Sequence, residues 1–182
     1  MFLRFPPEIR NMIYSALLNP AAQPVPLKPS SPTKPLTILG VCKQTHDEAL
    51  PIFYRPNDFR LADPDALYQF LRSLSLRRRR QIAHVTVGYW DRRSKHATAA
   101  FAMLGQCIRL ASLRVCLAQG GSRLRRFAGI KALRALRGLE EVAFVREGDG
   151  MVLGGKFLEG VKKGMLEPRT ACKMCERVGR PV

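Results

Sequence analysis

One apolar spacing occurs three times in the second half of the chain and limits the folds open to it. Ile82-x-x-Val85-x-Val87, Leu110-x-x-Leu113-x-Val115 and Leu139-x-x-Val142-x-Phe144 share the pattern, at intervals of 28 and 29 residues (110 − 82 and 139 − 110). Each reads as a short strand with alternate residues buried. Helical patterns lie between them. Phe101, Leu104 and Cys107 form the stripe of a segment from His96 to Cys107, and Ile130, Leu133 and Leu136 that of a segment from Phe127 to Leu136. A strand-plus-helix unit of this length cannot cover its own apolar face, so neighbouring units must stack with their strands parallel on one side. Phe59-x-Leu61 is readable as a first, degenerate rung, 26 residues before Val85. A compact α/β domain with three or four strands is the rival, and it too needs parallel strands backed by helices.

Upstream, the chain changes character. Leu36, Leu39, Cys42, His46, Ala49 and Phe53 recur at three- and four-residue intervals, which predicts a helical segment with one apolar face. Thr45 and Glu48 have capping-box spacing, so the segment reads as two short helices meeting near Gln44. Pro51 lacks the N–H a continuing helix needs and predicts a kink or stop. Nearer the N-terminus, Ile9, Met12, Ile13, Ala16 and Leu17 predict a helix with one buried stripe, opened by Pro6-Pro7 and closed by Asn19-Pro20. Residues 19–35 hold six prolines without helical or strand period, and are expected to form an extended, mobile linker.

Two of these stretches, Phe2–Leu18 with Pro6-Pro7-Glu8-Ile9 and Leu36–Phe59 with Val41-Cys42-Lys43, together resemble the F-box-like domain of proteins from filamentous fungi. The resemblance covers about the first third of the chain. It implies that the two helices pack together and dock onto the Skp-type adaptor of a cullin–RING ubiquitin ligase. The implied adaptor contacts are Pro6, Pro7, Glu8, Ile9, Ile13, Val41, Cys42 and Lys43. The later units resemble leucine-rich repeats in period, without that family's asparagine ladder. The expected fold is therefore α+β: an F-box-like helical region at 1–56 with the insertion 19–35, a leucine-rich-repeat-like α/β body with a short parallel sheet at 57–166, and a basic tail at 167–182. Within the body, Asp63-Pro64 predicts a helix start, with Leu67, Phe70, Leu71 and Leu74 as its stripe. Lys156–Leu166 predicts a last helix with Phe157, Val161 and Met165 on one face.

Charge separates the same two parts. Residues 1–70 carry 7 basic and 6 acidic side chains, and residues 71–182 carry 24 and 8. A balance of +16 in the second part points to an acidic protein or nucleic-acid partner. Arg77, Arg78, Arg79 and Arg80, then Arg92 and Arg93, then Arg123, Arg125 and Arg126 are the candidate polyanion contacts. The first run reads in the first place as a solvated helix end, with an anion contact as the alternative. Tyr89-Trp90 beside Arg92 and Arg93 offers stacking next to charge, as single-stranded nucleic acid requires, or else a tryptophan anchoring a loop.

Catalytic readings fare worse. Gly150 to Lys156 has Gly-x4-Gly-Lys spacing, but Phe157 follows where a P-loop needs a hydroxyl, so a glycine-rich turn is expected. Cys172-x-x-Cys175 is half of a zinc site, with no second pair after it, and is the only metal candidate. Cys42, Cys107 and Cys116 fall on apolar positions and are expected in the core. No nucleophile elbow, zincin helix or carboxylate pair occurs, so a non-enzymatic protein without cofactors is expected. Five cysteines without a secretory leader, and no apolar run near the ~20 residues of a membrane span, predict no membrane partner and a cytoplasmic or nuclear protein.

Overall fold

The computed structural model describes residues 2–19, 25–26, 34–89, 94–117, 129–146, 150–153 and 155–168. They form a mixed helix-and-strand protein built on one parallel sheet. The strands are β1 (Val25–Pro26), β2 (Asp58–Leu61), β3 (His84–Tyr89), β4 (Ser112–Leu117) and β5 (Glu141–Arg146). They lie side by side in chain order, every neighbouring pair parallel. The helices are α1 (Pro7–Leu18), α2 (Lys43–Tyr54), α3 (Pro64–Ser73), α4 (Leu76–Arg79), α5 (Ala97–Leu104), α6 (Ile130–Arg134) and α7 (Lys156–Leu166). Short 3-10 turns occupy Phe2–Arg4 and Lys34–Gly40.

The sheet register follows the apolar spacing residue for residue. Phe59, Val85, Leu113 and Val142 stand opposite one another, and so do Leu61, Val87, Val115 and Phe144. All eight are buried and belong to the same core as Leu67, Leu71, Phe101, Leu104 and Leu133 from the connecting helices. Because strand side chains alternate, the intervening residues form rows on the opposite face, exposed at Arg60, Arg114 and Glu141 and buried at Val145. The core crosses residue 56 without a break: Phe53 and Tyr54 of α2 and Phe70 of α3 all pack on Phe59, with ring centroids 5.9, 5.6 and 5.3 Å away.

Local signals explain most boundaries. The Asp63 carboxylate accepts the Ala66 N–H at 2.7 Å and Pro64 fills the first helical position, so α3 starts where expected. Leu67, Leu71 and Leu74 are buried and Phe70 is half-buried. The chain enters α6 through Gly129 at φ +87°, where a Cβ would sit 2.7 Å from the Phe101 ring and 3.0 Å from the Ala97 backbone. Only glycine allows α6 to begin so close to α5. The α6 helix is shorter than its periodicity suggests. Leu133 and Leu136 are buried, but Leu136 lies beyond the last helical turn. Gly150 turns the chain back along β5, where Leu153 N–H bonds Phe144 C=O at 2.7 Å. The Leu153 amide is thus used by β5 rather than offered to a phosphate, and Val152 bridges Val145 antiparallel.

Four expectations need correction. The buried stripe of α1 is Arg10, Tyr14 and Leu18, while Ile9, Met12, Ala16 and Leu17 are exposed and Ile13 is half-buried. Relative to the apolar pattern the helix is turned by one residue, about 100°. Tertiary partners for Arg10 account for this, as described below. In α2, Cys42 and not Thr45 is the N-cap: its Sγ accepts the Thr45 N–H at 3.5 Å, which leaves the thiol exposed and Thr45 buried. Pro51 does not end α2, which runs three residues further. A proline removes only the bond to the carbonyl four residues back, and buried Phe53 and Tyr54 hold the last turn in place. Finally, Val25–Pro26 of the 19–35 segment pairs with Phe59 and Arg60 as an edge strand, a position that tolerates proline's missing donor.

Candidate interaction surfaces

The helical front is organised by one buried arginine. Arg10 Nη2 and Nε donate to the two carboxylate oxygens of Glu48 at 2.7 and 2.9 Å, a forked pair between α1 and α2. Two further groups donate to the same carboxylate, the Tyr14 hydroxyl at 3.1 Å and Gln44 Nε2 at 3.0 Å. Arg10 Nη1 reaches back to the carbonyls of Leu3 and Phe5, tying down the N-terminal turn. These donors, Arg10 first and Gln44 next, lower the Glu48 pKa to about 2. Burial raises the Tyr14 phenol above its ordinary value. Hydrogen bonding with the Thr45 hydroxyl, and then with its N–H, lowers the Cys42 thiol. A second tie joins His46 Nδ1 to Leu39 C=O at 2.7 Å, and a third runs from Asn19 Nδ2 to Ile52 C=O at 3.1 Å.

With its charged stripe turned inward, α1 shows its apolar residues to solvent. Ile9 is 42 % and Met12 67 % exposed, and one helical turn brings the two side by side. Leu3, Phe5 and Leu17 are also exposed, as is Val41 just ahead of α2. Of the residues read from the sequence, Pro6, Pro7, Glu8, Ile9, Val41, Cys42 and Lys43 are exposed and Ile13 is half-buried. Packing of α1 on α2 brings the two motif segments into one unit. Sequence reasoning assigned Met12 to the core and missed Phe5. Nothing in the local pattern distinguishes an apolar stripe that packs from one that does not.

The second surface is the face of the sheet opposite the core. One row across the strands is Asp58, His84, Ser112 and Glu141, and the next is Arg60, Thr86, Arg114 and Ala143. A shallow depression lies over these rows, bordered by Asp58, His84, Thr86, Ser112, Arg114 and Glu141. The Thr86 hydroxyl is 3.0 and 3.1 Å from the two Asp58 oxygens, and Arg60 Nε donates to Asp58 at 3.1 Å. His84 Nδ1 and Ser112 Oγ are 2.9 Å apart. The apolar periodicity located these rows only as the positions between core residues.

Two of the four residues in the arginine run, Arg77 and Arg79, have internal partners. Arg77 pairs with Asp47 of α2 at 2.7 Å. Arg79 donates to Leu74 C=O at 3.0 Å and to Gln106 at 2.7 Å. Arg78 is half-buried, and Arg80 is exposed. Arg77 therefore ties the helical front to the body, and Arg79 braces the body itself. Trp90, Arg92, Arg93, Arg123, Arg125 and Arg126 lie outside the described residues, as do Cys172 and Cys175. Among the described residues no three His, Cys, Asp or Glu side chains gather where they could hold a metal ion. No described helix is long and apolar enough to cross a membrane.

These features define a class by architecture alone: a mixed α and β protein whose parallel sheet is followed in chain order, with a helical unit packed at its first strands. Compared with known proteins, the chain matches no family model, no curated protein and no solved structure.

Proposed function

We propose that the chain is a non-enzymatic, F-box-like recruiting protein, whose front binds a Skp-type adaptor and whose leucine-rich-repeat-like body holds the client. The observation that carries this reading is the outward apolar stripe of α1. A helix that could bury Ile9 and Met12 instead buries Arg10 and leaves both side chains in water. Covering an exposed apolar side chain is worth ~1.5–3 kcal/mol when burial is complete, so the stripe is unfavourable in isolation and useful against a partner. It lies on the segment whose Pro6-Pro7-Glu8-Ile9 motif carries the F-box resemblance. The adaptor is therefore the occupant we assign. The sequential parallel strands, at intervals of 26, 28 and 29 residues (85 − 59, 113 − 85, 142 − 113), support the repeat-like reading of the body. In this arrangement the ligase supplies the chemistry, and the protein works in the cytoplasm or nucleus.

A pull-down with recombinant Skp-type adaptor tests the proposal. Wild type is expected to capture adaptor, and Ile9→Ala with Met12→Ala to weaken capture about tenfold or more, as for interface anchors. Pro7→Ala with Glu8→Ala probes the same helix start. The circular-dichroism melts of both double variants should stay near wild type, because none of the four side chains is buried. If folded wild type captures no adaptor at micromolar concentration, the proposal fails.

A further inference from the structure

The four turns through which the chain enters β2, β3, β4 and β5 carry an inference that does not depend on adaptor capture. They are residues 55–57, 80–83, 105–111 and 135–140. Because the strands are parallel and follow chain order, the turns stack along one edge of the sheet. Arg55 Nε donates to Gln81 Oε1 at 3.4 Å, and Arg79 Nη1 to Gln106 Oε1 at 2.7 Å. The Ala111 and Ser112 amides donate to Ala83 C=O, and those of Glu140 and Glu141 to Ala111 C=O, at 2.8–3.0 Å. Each turn holds one arginine: Arg55, Arg80, Arg109 and Arg137, at intervals of 25, 29 and 28 residues (80 − 55, 109 − 80 and 137 − 109). The first three are exposed, and Arg80 and Arg109 have no side-chain hydrogen bond or ion pair with any described residue. Arg137 is held by Glu167 at 3.5 Å. Exposed aliphatic side chains stand among these cations. Leu76, whose carbonyl accepts the Arg80 N–H, precedes the second turn, and Ile108 lies in the third. Placement at a helix end accounts for Arg55 and Arg80 singly. It does not account for Arg109, well past the end of α5, or for the aliphatic side chains.

We propose that the turns entering β2, β3 and β4 are a docking edge for an extended acidic protein segment. Its Asp and Glu carboxylates meet Arg55, Arg80 and Arg109, and its apolar side chains meet Leu76 and Ile108. A planar guanidinium offers two parallel N–H donors that match a carboxylate. With strands about 4.8 Å apart, the three arginines span about 10 Å in a single row, which suits an extended chain rather than the plane of a bilayer. The four turns contain no aromatic ring on which a nucleic-acid base could stack, and aliphatic neighbours suit an acidic chain that also carries leucine. Glu140, the one carboxylate in these turns, ends the row by repelling a further acid placed toward β5.

Fluorescence anisotropy with the full chain tests the edge. The probe is a labelled peptide alternating glutamate and leucine, and comparison peptides replace every glutamate by glutamine or every leucine by serine. The glutamine peptide should bind about tenfold or more weakly, and the serine peptide about threefold or more. Arg80→Glu with Arg109→Glu should weaken binding of the probe about tenfold or more, the scale of a lost charge-assisted pair. Arg80→Gln with Arg109→Gln repeats the test without adding negative charge. Arg4→Glu with Lys131→Glu makes the same charge change on exposed residues outside the turns, and should weaken binding less than about twofold at physiological salt. Ile108→Ser should weaken it about threefold, and Glu140→Gln should tighten it. All these side chains are exposed, so the variants should keep the wild-type melt. Equal losses from the two double charge reversals, or no preference for the glutamate peptide over the glutamine one, overturn the edge. A single-stranded RNA oligomer and phosphatidylserine vesicles run in parallel should depend less than the peptide on Arg80 and Arg109. If either depends on them more, the occupant is a nucleic acid or a membrane surface and the peptide assignment falls.

Discussion

At the scale of single residues, Arg10 does most to shape the front. An arginine with its guanidinium inside must find partners for its donors, and Glu48 with the Leu3 and Phe5 carbonyls supplies them. Once that pair forms, the side chains next to Arg10 in sequence have to point outward. The pair also sets a pH dependence. Glu48 has a pKa of about 2 in the fold against 4.5 as a free side chain. A depressed carboxylate stabilises the fold above its unfolded pKa, and that contribution disappears as pH falls through the folded value. Wild type should therefore lose melting temperature as pH is lowered from 4.5 toward 2. Glu48→Gln should melt lower than wild type at neutral pH and lose less over the acid interval, as followed by circular dichroism. Parallel acid profiles for the two proteins would remove Glu48 from this role.

Between elements, the question is which face of α1 packs, and two adjacent leucines answer it. Leu18 is 2 % exposed and Leu17 46 %, with the same side chain and the same helix. Leu18→Ala should cost ~2–5 kcal/mol in urea denaturation, through the cavity left in the core. Leu17→Ala should stay within ~0.5 kcal/mol, since the removed atoms were already in contact with water. Equal costs would mean that the apolar stripe is the buried one. The sequence showed the helix, its proline start and its length, because those depend on local chemistry. Its rotation depended on Glu48, 38 residues further on, and no periodicity in α1 contains that information. The same limit explains Cys42 and Thr45. Spacing pointed to Thr45 as the cap and to Cys42 as a core residue, and the structure reverses both.

For the whole molecule, Phe59 is the point where front and body meet. It is fully buried in β2, touches Phe53 and Tyr54 from one side and Phe70 from the other, and stands in register with Val85. The Arg77–Asp47 pair spans the same boundary at the surface, where exposure limits its worth to ~0–1 kcal/mol. Packing is thus the main coupling. Phe59→Ala should cost ~3–5 kcal/mol. Helical signal and near-ultraviolet aromatic signal should disappear in one transition in wild type and variant alike. Two separate transitions in wild type would show that the helical front folds without the body.

What the amino-acid sequence determined unaided is the body's plan. Strand side chains repeat every two residues, and a parallel sheet needs a return of fixed length. The spacing of Val85, Leu113 and Val142 therefore specified strand, register and inward face together. Phe59 could be added as a fourth rung by the same rule, and β2 obeys it. Tertiary structure alone decided the two surfaces. It turned the Arg10 stripe of α1 inward and the Ile9–Met12 stripe outward, because a forked ion pair between distant residues outweighed the apolar pattern of one helix. It also aligned Arg114, His84 and Ser112, 28 residues from His84 to Ser112 along the chain, on one face of the sheet. Such rows exist only once strands stand side by side, which is why the chain read in order shows them as isolated polar residues between core positions.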